Sequence, residues 1–441
     1  MVQTSETTGT GRGKVLTGTV LAQLGLGTVY AWAIFNIPLA TRIMGADAVT
    51  SDPTLPFRIG GITFSIMMIF LSLSTLTINA LQAKFGVRAT LVACGILLWL
   101  GLFLVGVWAI PAQQAWVLYV FGGVICGIGD GIGYLLSLTN CLRWYPDKAG
   151  TISGISVGSY GIPAVIIPFI FTPMMGAAPT YSGLTTTYVV WSFLALILVS
   201  GGGLLLKDAP VIKGKTGFAG EYTRKEMLKT PQAYMLWIGI IAFCLAGLYI
   251  IGTSGSAAKS AGVPENQLSA YLIGTVFSIV ALVGLVNTVG RFFFGWLSDH
   301  VKRTLIVACA LTVLAVFAFI LGSQFLGGKG YPAPWLYILV YMLFGLSFGG
   351  CITIYPTIVG EYFGKNSQAK NYSIIYQGFA IGAAITLLFN LSTSVWKILT
   401  FGQTLVIAGV ILAIGAVLLF VVRPPKPADR GETEAQIEVK A

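Results

Sequence analysis

Histidine is nearly missing from this chain: His300 is the sole one in 441 residues. Acidic residues are also few, 15 in all, and charged residues make up 9% against about 25% in a soluble domain. That inventory cannot supply a buried metal cluster or a Ser/His/Asp set, and His300 sits beside Lys302 and Arg303 in a polar break. The six cysteines form no C-x-x-C pair and fall in or at the ends of apolar runs, as inert buried thiols do. Neither an enzyme nor a cofactor or metal protein is expected.

What is abundant is apolar sequence, 56% of the chain. It comes in long continuous runs broken by short polar stretches, so the spacing predicts membrane-spanning helices rather than barrel strands, whose apolar residues would alternate. Spans are placed near 15–43, 58–81, 89–110, 116–142, 149–174, 186–206, 232–254, 269–296, 304–324, 335–360, 371–395 and 401–422. The first run is too long for a signal-peptide core and reads as an uncleaved span. The expected fold is all-α and integral to a lipid bilayer.

A formal charge of +11 would suit a nucleic-acid binder, but the positions argue otherwise. Twenty of the 26 Lys and Arg fall in alternate breaks starting from the N-terminus, five in the others, and one inside a span. Such a bias sets membrane orientation and puts both termini in the cytoplasm. The longest polar break, 207–230, divides a six-span half at 15–206 from another at 231–422, with polar tails at 1–14 and 423–441. Within that break, 221–229 suits a short amphipathic helix on the membrane face, and the tail reads as disordered. Leu81 to Cys94 parallels Leu297 to Cys309, which suggests that the halves are repeats with a site at the midplane between them.

Two charges lie well inside spans. Burying either is costly, roughly 2.5–3.5 kcal/mol on insertion scales, so each needs a reason. Arg291 lies in Asn287-Thr-Val-Gly-Arg291-Phe-Phe-Phe-Gly295, and its planar fork can hold a carboxylate by two parallel hydrogen bonds. Asn287, four residues earlier, shares its face. The competing reading is structural: the span ends about 9 Å on, near Leu297, within reach of a snorkelling side chain. Asp130, in Gly127-Ile-Gly-Asp130-Gly-Ile-Gly133, is easier to bury with its proton on, which makes it a candidate proton carrier or a partner of Arg291. The glycines beside it have no preceding strand and serve helix packing rather than phosphate binding. Tyr30, Trp32, Tyr134, Tyr249, Tyr355 and Tyr376 recur in the spans and could line a small cavity. Pro163, Pro168, Pro173 and Pro356 are expected to kink their helices.

At these residues the chain resembles the major facilitator superfamily: Gly295-Trp-Leu-Ser-Asp299-His-Val-Lys302-Arg303 is similar to its loop motif after the eighth span. At the counterpart near Arg88, Asn79 and Ala83 stand where glycine and aspartate are usual. Within the superfamily the chain resembles the oxalate/formate antiporter family. The stretches that carry this are Gly25-Leu-Gly27-Thr-Val-Tyr30-Ala-Trp32, Asn287-x3-Arg291, Tyr355-Pro356 through Glu361-Tyr-Phe363-Gly364, and Ala369-Lys370-Asn371-Tyr372. Members linked to pyruvate look the most alike. The resemblance implies a substrate arginine at Arg291, aromatic contacts at Tyr30 and Tyr134, and inner gating residues at Asp299, Arg303 and Arg88. Oxalate carriers have a lysine in the eleventh span; here the matching stretch is Tyr376-Gln377-Gly378-Phe379-Ala380, with Phe379 in its place.

One cation neutralises one carboxylate, so a dianion would leave a charge unpaired. The expected activity is secondary transport of a small monocarboxylate of the pyruvate, lactate or formate class, with a proton as co-substrate. The candidate substrate residues are Arg291, Asn287, Tyr30, Tyr134, Trp32, Tyr355, Tyr376, Gln377 and Phe379. Anion exchange without a proton, or a membrane sensor for a carboxylate, are the alternatives. The expected setting is a bacterial inner membrane, as a monomer that binds no nucleic acid.

Overall fold

A computed structural model describes residues 8–52, 55–176, 180–209, 221–260, 279–327 and 334–425. Among the described residues there are helices and no strands. We label the long helices in chain order. The first six are α1 (Gly11–Met44), α2 and α3 (58–85 and 87–112), α4 (Ala115–Trp144), α5 (Pro146–Met175) and α6 (Tyr181–Leu205). The last six are α7 (Pro231–Ser260), α8 (Ile279–Leu297), α9 (Arg303–Leu326), α10 (Pro334–Phe363), α11 (Gln368–Thr393) and α12 (Phe401–Val421). Ten described segments are long and apolar enough to cross a membrane. One of them, Arg58–Ala112, is two helices that turn at Gly86, whose φ of +73° places it where glycine is favoured. The chain is a multi-pass membrane protein.

The expected eighth span begins at 269, and its portion 269–278 lies outside the described residues. So do 210–220 of the long polar break and the tail from 426. The expected amphipathic helix at 221–229 is one turn, Arg224–Met227, with a capping box from Thr223 and Glu226. Tyr222 and Met227 of this stretch are buried against the bundle, leaving Leu228 exposed, because the backbone ahead of the turn pairs with the end of α10: Tyr222 N–H donates to the Phe363 carbonyl at 3.0 Å.

Packing within each group of six follows one plan. Helix α1 packs on α4, α5 and α6, and α3 on α4 and α6; α7 packs on α10, α11 and α12, and α9 on α10 and α12. The two groups meet through α5 on α8 and α2 on α11, which are the same pairing with the groups exchanged. That exchange is what two related repeats would produce. Among the expected kinks, α5 runs through Ile162 with helical dihedrals (φ −53°, ψ −44°), and Pro163 interrupts only the backbone ladder, where its missing N–H leaves one bond unmade.

Where α5 crosses α8, Gly154 faces Gly295, and a Cβ on Gly154 would lie 3.1 Å from the Arg291 carbonyl oxygen. The contact fixes how near the Arg291 backbone comes to α5. Overpacked helix contacts typically lose about 1–3 kcal/mol. Gly154→Leu is therefore expected to lower the unfolding midpoint of the detergent-solubilised protein by several degrees, read by intrinsic fluorescence; an unchanged midpoint would show that the crossing has slack.

A buried arginine site between the two helix groups

Asp130 and Arg291 are the charged side chains among the buried described residues, 0% and 1% exposed. Arg291 does not snorkel. Its Nε donates to Asn287 Oδ1 at 3.0 Å and its Nη1 to the Val157 carbonyl of α5 at 2.8 Å. Asn287 is itself held, through Nδ2, by the Gly345 carbonyl of α10 at 3.1 Å. The guanidinium carbon lies 5.4 Å from the Tyr30 ring centre and 5.7 Å from that of Tyr160, a cation–π arrangement between α1 and α5. Nη2 is buried without a hydrogen-bond partner among the described residues. No described carboxylate forms an ion pair with Arg291.

Asp130 is not that partner either. Its Oδ2 accepts a 2.7 Å hydrogen bond from the Tyr160 hydroxyl, and its Oδ1 is buried without a partner among the described residues. Tyr160 therefore stands between the two charges, its ring towards Arg291 and its hydroxyl on Asp130. Its side chain is held by those neighbours, and its backbone by close contact with α1. Gly27 of α1 lies so close to the Tyr160 carbonyl that any side chain there would collide with it. Small residues on α4 do the same on the other flank: a Cβ on Gly129 would sit 2.9 Å from the Cys94 carbonyl of α3. Asp130 is thus walled in by helix backbones.

The aromatic candidates divide. Tyr30 meets Tyr160 edge-on at 5.0 Å, and Tyr134 meets it at 5.1 Å with its own hydroxyl buried and unbonded among the described residues. Tyr376 stacks on Tyr134 at 5.9 Å and on Phe379 at 5.2 Å, which carries the cluster from α4 to α11. The others sit elsewhere. Trp32 turns into the first group, its indole N–H donating to the Gly60 carbonyl at 3.0 Å and its rings packing on Tyr188 and Trp191. The Tyr355 hydroxyl donates to the Leu236 carbonyl of α7 at 3.0 Å, and Tyr249 bonds Thr404 at 2.6 Å. Gln377 ties α11 to α2, with Nε2 donating to the Ser72 carbonyl at 2.9 Å, while Ser72 Oγ donates to the Tyr376 carbonyl at 2.8 Å.

At the end of the bundle near residues 207–209 and 221–230, Asp299 accepts from the backbone N–H of Gly150 at 2.8 Å and of Thr151 at 2.7 Å, at the start of α5. Its other partner is Arg303, at 2.9 Å, and Arg303 pairs in turn with Glu361. These groups border a cavity of about 200 Å³ together with Arg143, Asp147 and Lys365. Arg88 is not in it: its Nε donates to the Leu206 carbonyl at 3.4 Å. Where Ala83 replaces the usual aspartate, Asp208 reaches in and accepts from Val87 N–H at 3.3 Å. The start of α11 is met by Glu221, which accepts from Asn366 and Ser367 N–H at 2.9 Å each.

Tyr160 and Glu221 had no place among the expected site residues. Tyr160 was legible in principle, as a lone hydroxyl-bearing aromatic among Gly158, Ser159 and Gly161 in mid-span. Glu221 was not, because its partners lie 145 residues away in sequence.

The Major Facilitator Superfamily profile matches residues 18–387. The chain is 33% identical over 371 residues to an uncharacterized MFS-type transporter, YhjX, of Escherichia coli, covering 83% of this chain and 85% of that one. It is 28% identical to the oxalate:formate antiporter of Oxalobacter formigenes, covering 70% and 72%, and 23% identical to apicoplast pyruvate carrier 1 of Toxoplasma gondii, covering 81% and 79%. The proton:xylose symporter XylE has the same fold, with a TM-score of 0.70 at 15% identity over 97% of this chain and 99% of that one. With its helices in two exchanged groups and a family match over most of its length, the chain belongs to the major facilitator superfamily of membrane transporters.

Proposed function

We propose that this transporter moves a small monocarboxylate of the pyruvate, lactate or formate class, together with a proton, by rocking two six-helix halves about Arg291. The halves are 15–206 and 231–422, joined through 207–230. The observation that carries the reading is the buried, unpaired cation: Arg291 has Nη2 unclaimed and no acid in direct contact with it among the described residues. A single carboxylate on Arg291 would satisfy that nitrogen and cancel the charge. Tyr30, Tyr160 and Tyr134 give the anion an apolar wall with hydroxyls, suited to a short chain. Phe379, where oxalate carriers have lysine, excludes a second carboxylate by leaving it unpaired.

The relatives named for formate and pyruvate handle anions of this class, which supports the reading. The antiporter among them favours a second reading, exchange without a proton. Uptake into proteoliposomes separates the two. An acidic exterior drives accumulation into empty vesicles in the first case, whereas exchange requires a counter-anion inside. From the distribution of Lys and Arg we place both termini in the cytoplasm, and from its bacterial relatives we assign the protein to the inner membrane of a bacterial cell, where we take it to act as a monomer.

Removing one partner of a buried charge contact typically costs about 3–5 kcal/mol. Arg291→Ala is expected to reduce pyruvate uptake by about a hundredfold or more, with folded protein still recovered from the membrane; transport at the native rate would remove Arg291 from the mechanism. Phe379→Lys is expected to gain an oxalate-induced rise in unfolding temperature that the native protein lacks. A ligand panel on the purified proteins measures it, and an unchanged response to oxalate would refute the missing-cation argument.

A further inference from the structure

We propose that Tyr160 is the positioning residue through which substrate and proton are coupled. The inference rests on the function proposed for Arg291. In the empty site Arg291 and an ionised Asp130 sum to zero charge across one phenol. The Tyr160 ring offers its face to the cation at 5.7 Å, and its hydroxyl gives the Asp130 carboxylate its one donor among the described residues, at 2.7 Å. When the substrate's carboxylate pairs with Arg291, the charge on Asp130 loses its compensation in a medium of low dielectric. A proton from water then binds an Asp130 oxygen, Oδ1 being the one without a partner. One anion and one proton enter together, and the buried net charge stays at zero in both states.

Other titratable groups around Asp130 do not compete for that proton. They are Tyr30 on α1, Cys94 on α3, Cys126 and Tyr134 on α4 and Tyr160 on α5. All are thiols or phenols, which are already protonated at pH 7. Helix α2 meets α4 beside Asp130 through Leu71 and Ser74, which do not titrate, and α11 brings Tyr376 to Tyr134.

The test counts protons taken up per pyruvate bound, using a pH indicator in weakly buffered detergent solution at a series of pH values from 7 to 9, with affinity measured separately by calorimetry. The native protein is expected to approach one proton taken up per pyruvate as the pH rises and Asp130 of the empty site ionises. In Tyr160→Phe the carboxylate has lost its donor, Asp130 holds its proton in both states, and uptake falls to near zero while affinity changes by no more than about tenfold. Asp130→Asn is expected to give the same zero count and serves if Tyr160→Phe does not fold. A native proton count in either folded variant overturns the proposal. Pyruvate binding by the native protein without proton uptake overturns it too, but leaves the role of Arg291 standing. Absence of any monocarboxylate binding by the native protein overturns the reading of the site itself, and this proposal with it.

Discussion

A guanidinium buried among helices must be neutralised, solvated by protein or left at great cost. Arg291 is solvated by protein and only partly: one amide oxygen, one backbone carbonyl and two ring faces surround it, and Nη2 is left over. Much of the central architecture follows from holding it there. Gly154 against Gly295 brings α5 near enough for the Val157 carbonyl to accept from it, and Gly27 lets α1 and α5 close around it so that Tyr30 and Tyr160 present their rings. The function proposed above has an anion complete that shell, at the one nitrogen left without a hydrogen bond.

The two helix groups are related but not equal. The acid that meets the start of α5 comes from the loop between α8 and α9, as Asp299. Exchange of the groups would bring the corresponding acid to the start of α11 from the loop between α2 and α3, but Ala83 cannot supply it. The position is filled by Glu221, from the segment that connects the groups. Asp299 caps from across the boundary between groups, whereas Glu221 caps from a connector whose backbone is already paired to α10. The same bond type thus ties the groups together at one place and secures a loop at the other.

The span pattern was readable because each lipid-exposed helix must satisfy its backbone internally and present about 20 apolar residues, a constraint local to each stretch. Arg291 and Asp130 were readable for a related reason: charge is so costly at that depth that its presence is itself a signal. Aromatic residues give no such signal. Tyr30 and Tyr134 meet at Tyr160, whereas Trp32 and Tyr355 are bonded to backbone carbonyls within their own groups. All four belong to apolar spans, and an apolar span tolerates a tyrosine or tryptophan on any face that offers one acceptor. Gln377 shows the same limit: beside Tyr376 in sequence, it is spent on tying α11 to α2.

The sequence by itself determined the number and type of the helices, the single cation among them and the family to which the chain is similar, because those depend on composition along one stretch at a time. Tertiary structure decided that Arg291 and Asp130 are separated by a phenol instead of paired, and that a connector residue, Glu221, secures the loop just before α11. Both depend on the distance between helices that are far apart in the chain. That distance is set by where glycine permits backbones to touch, and no single stretch specifies which helix will be on the other side.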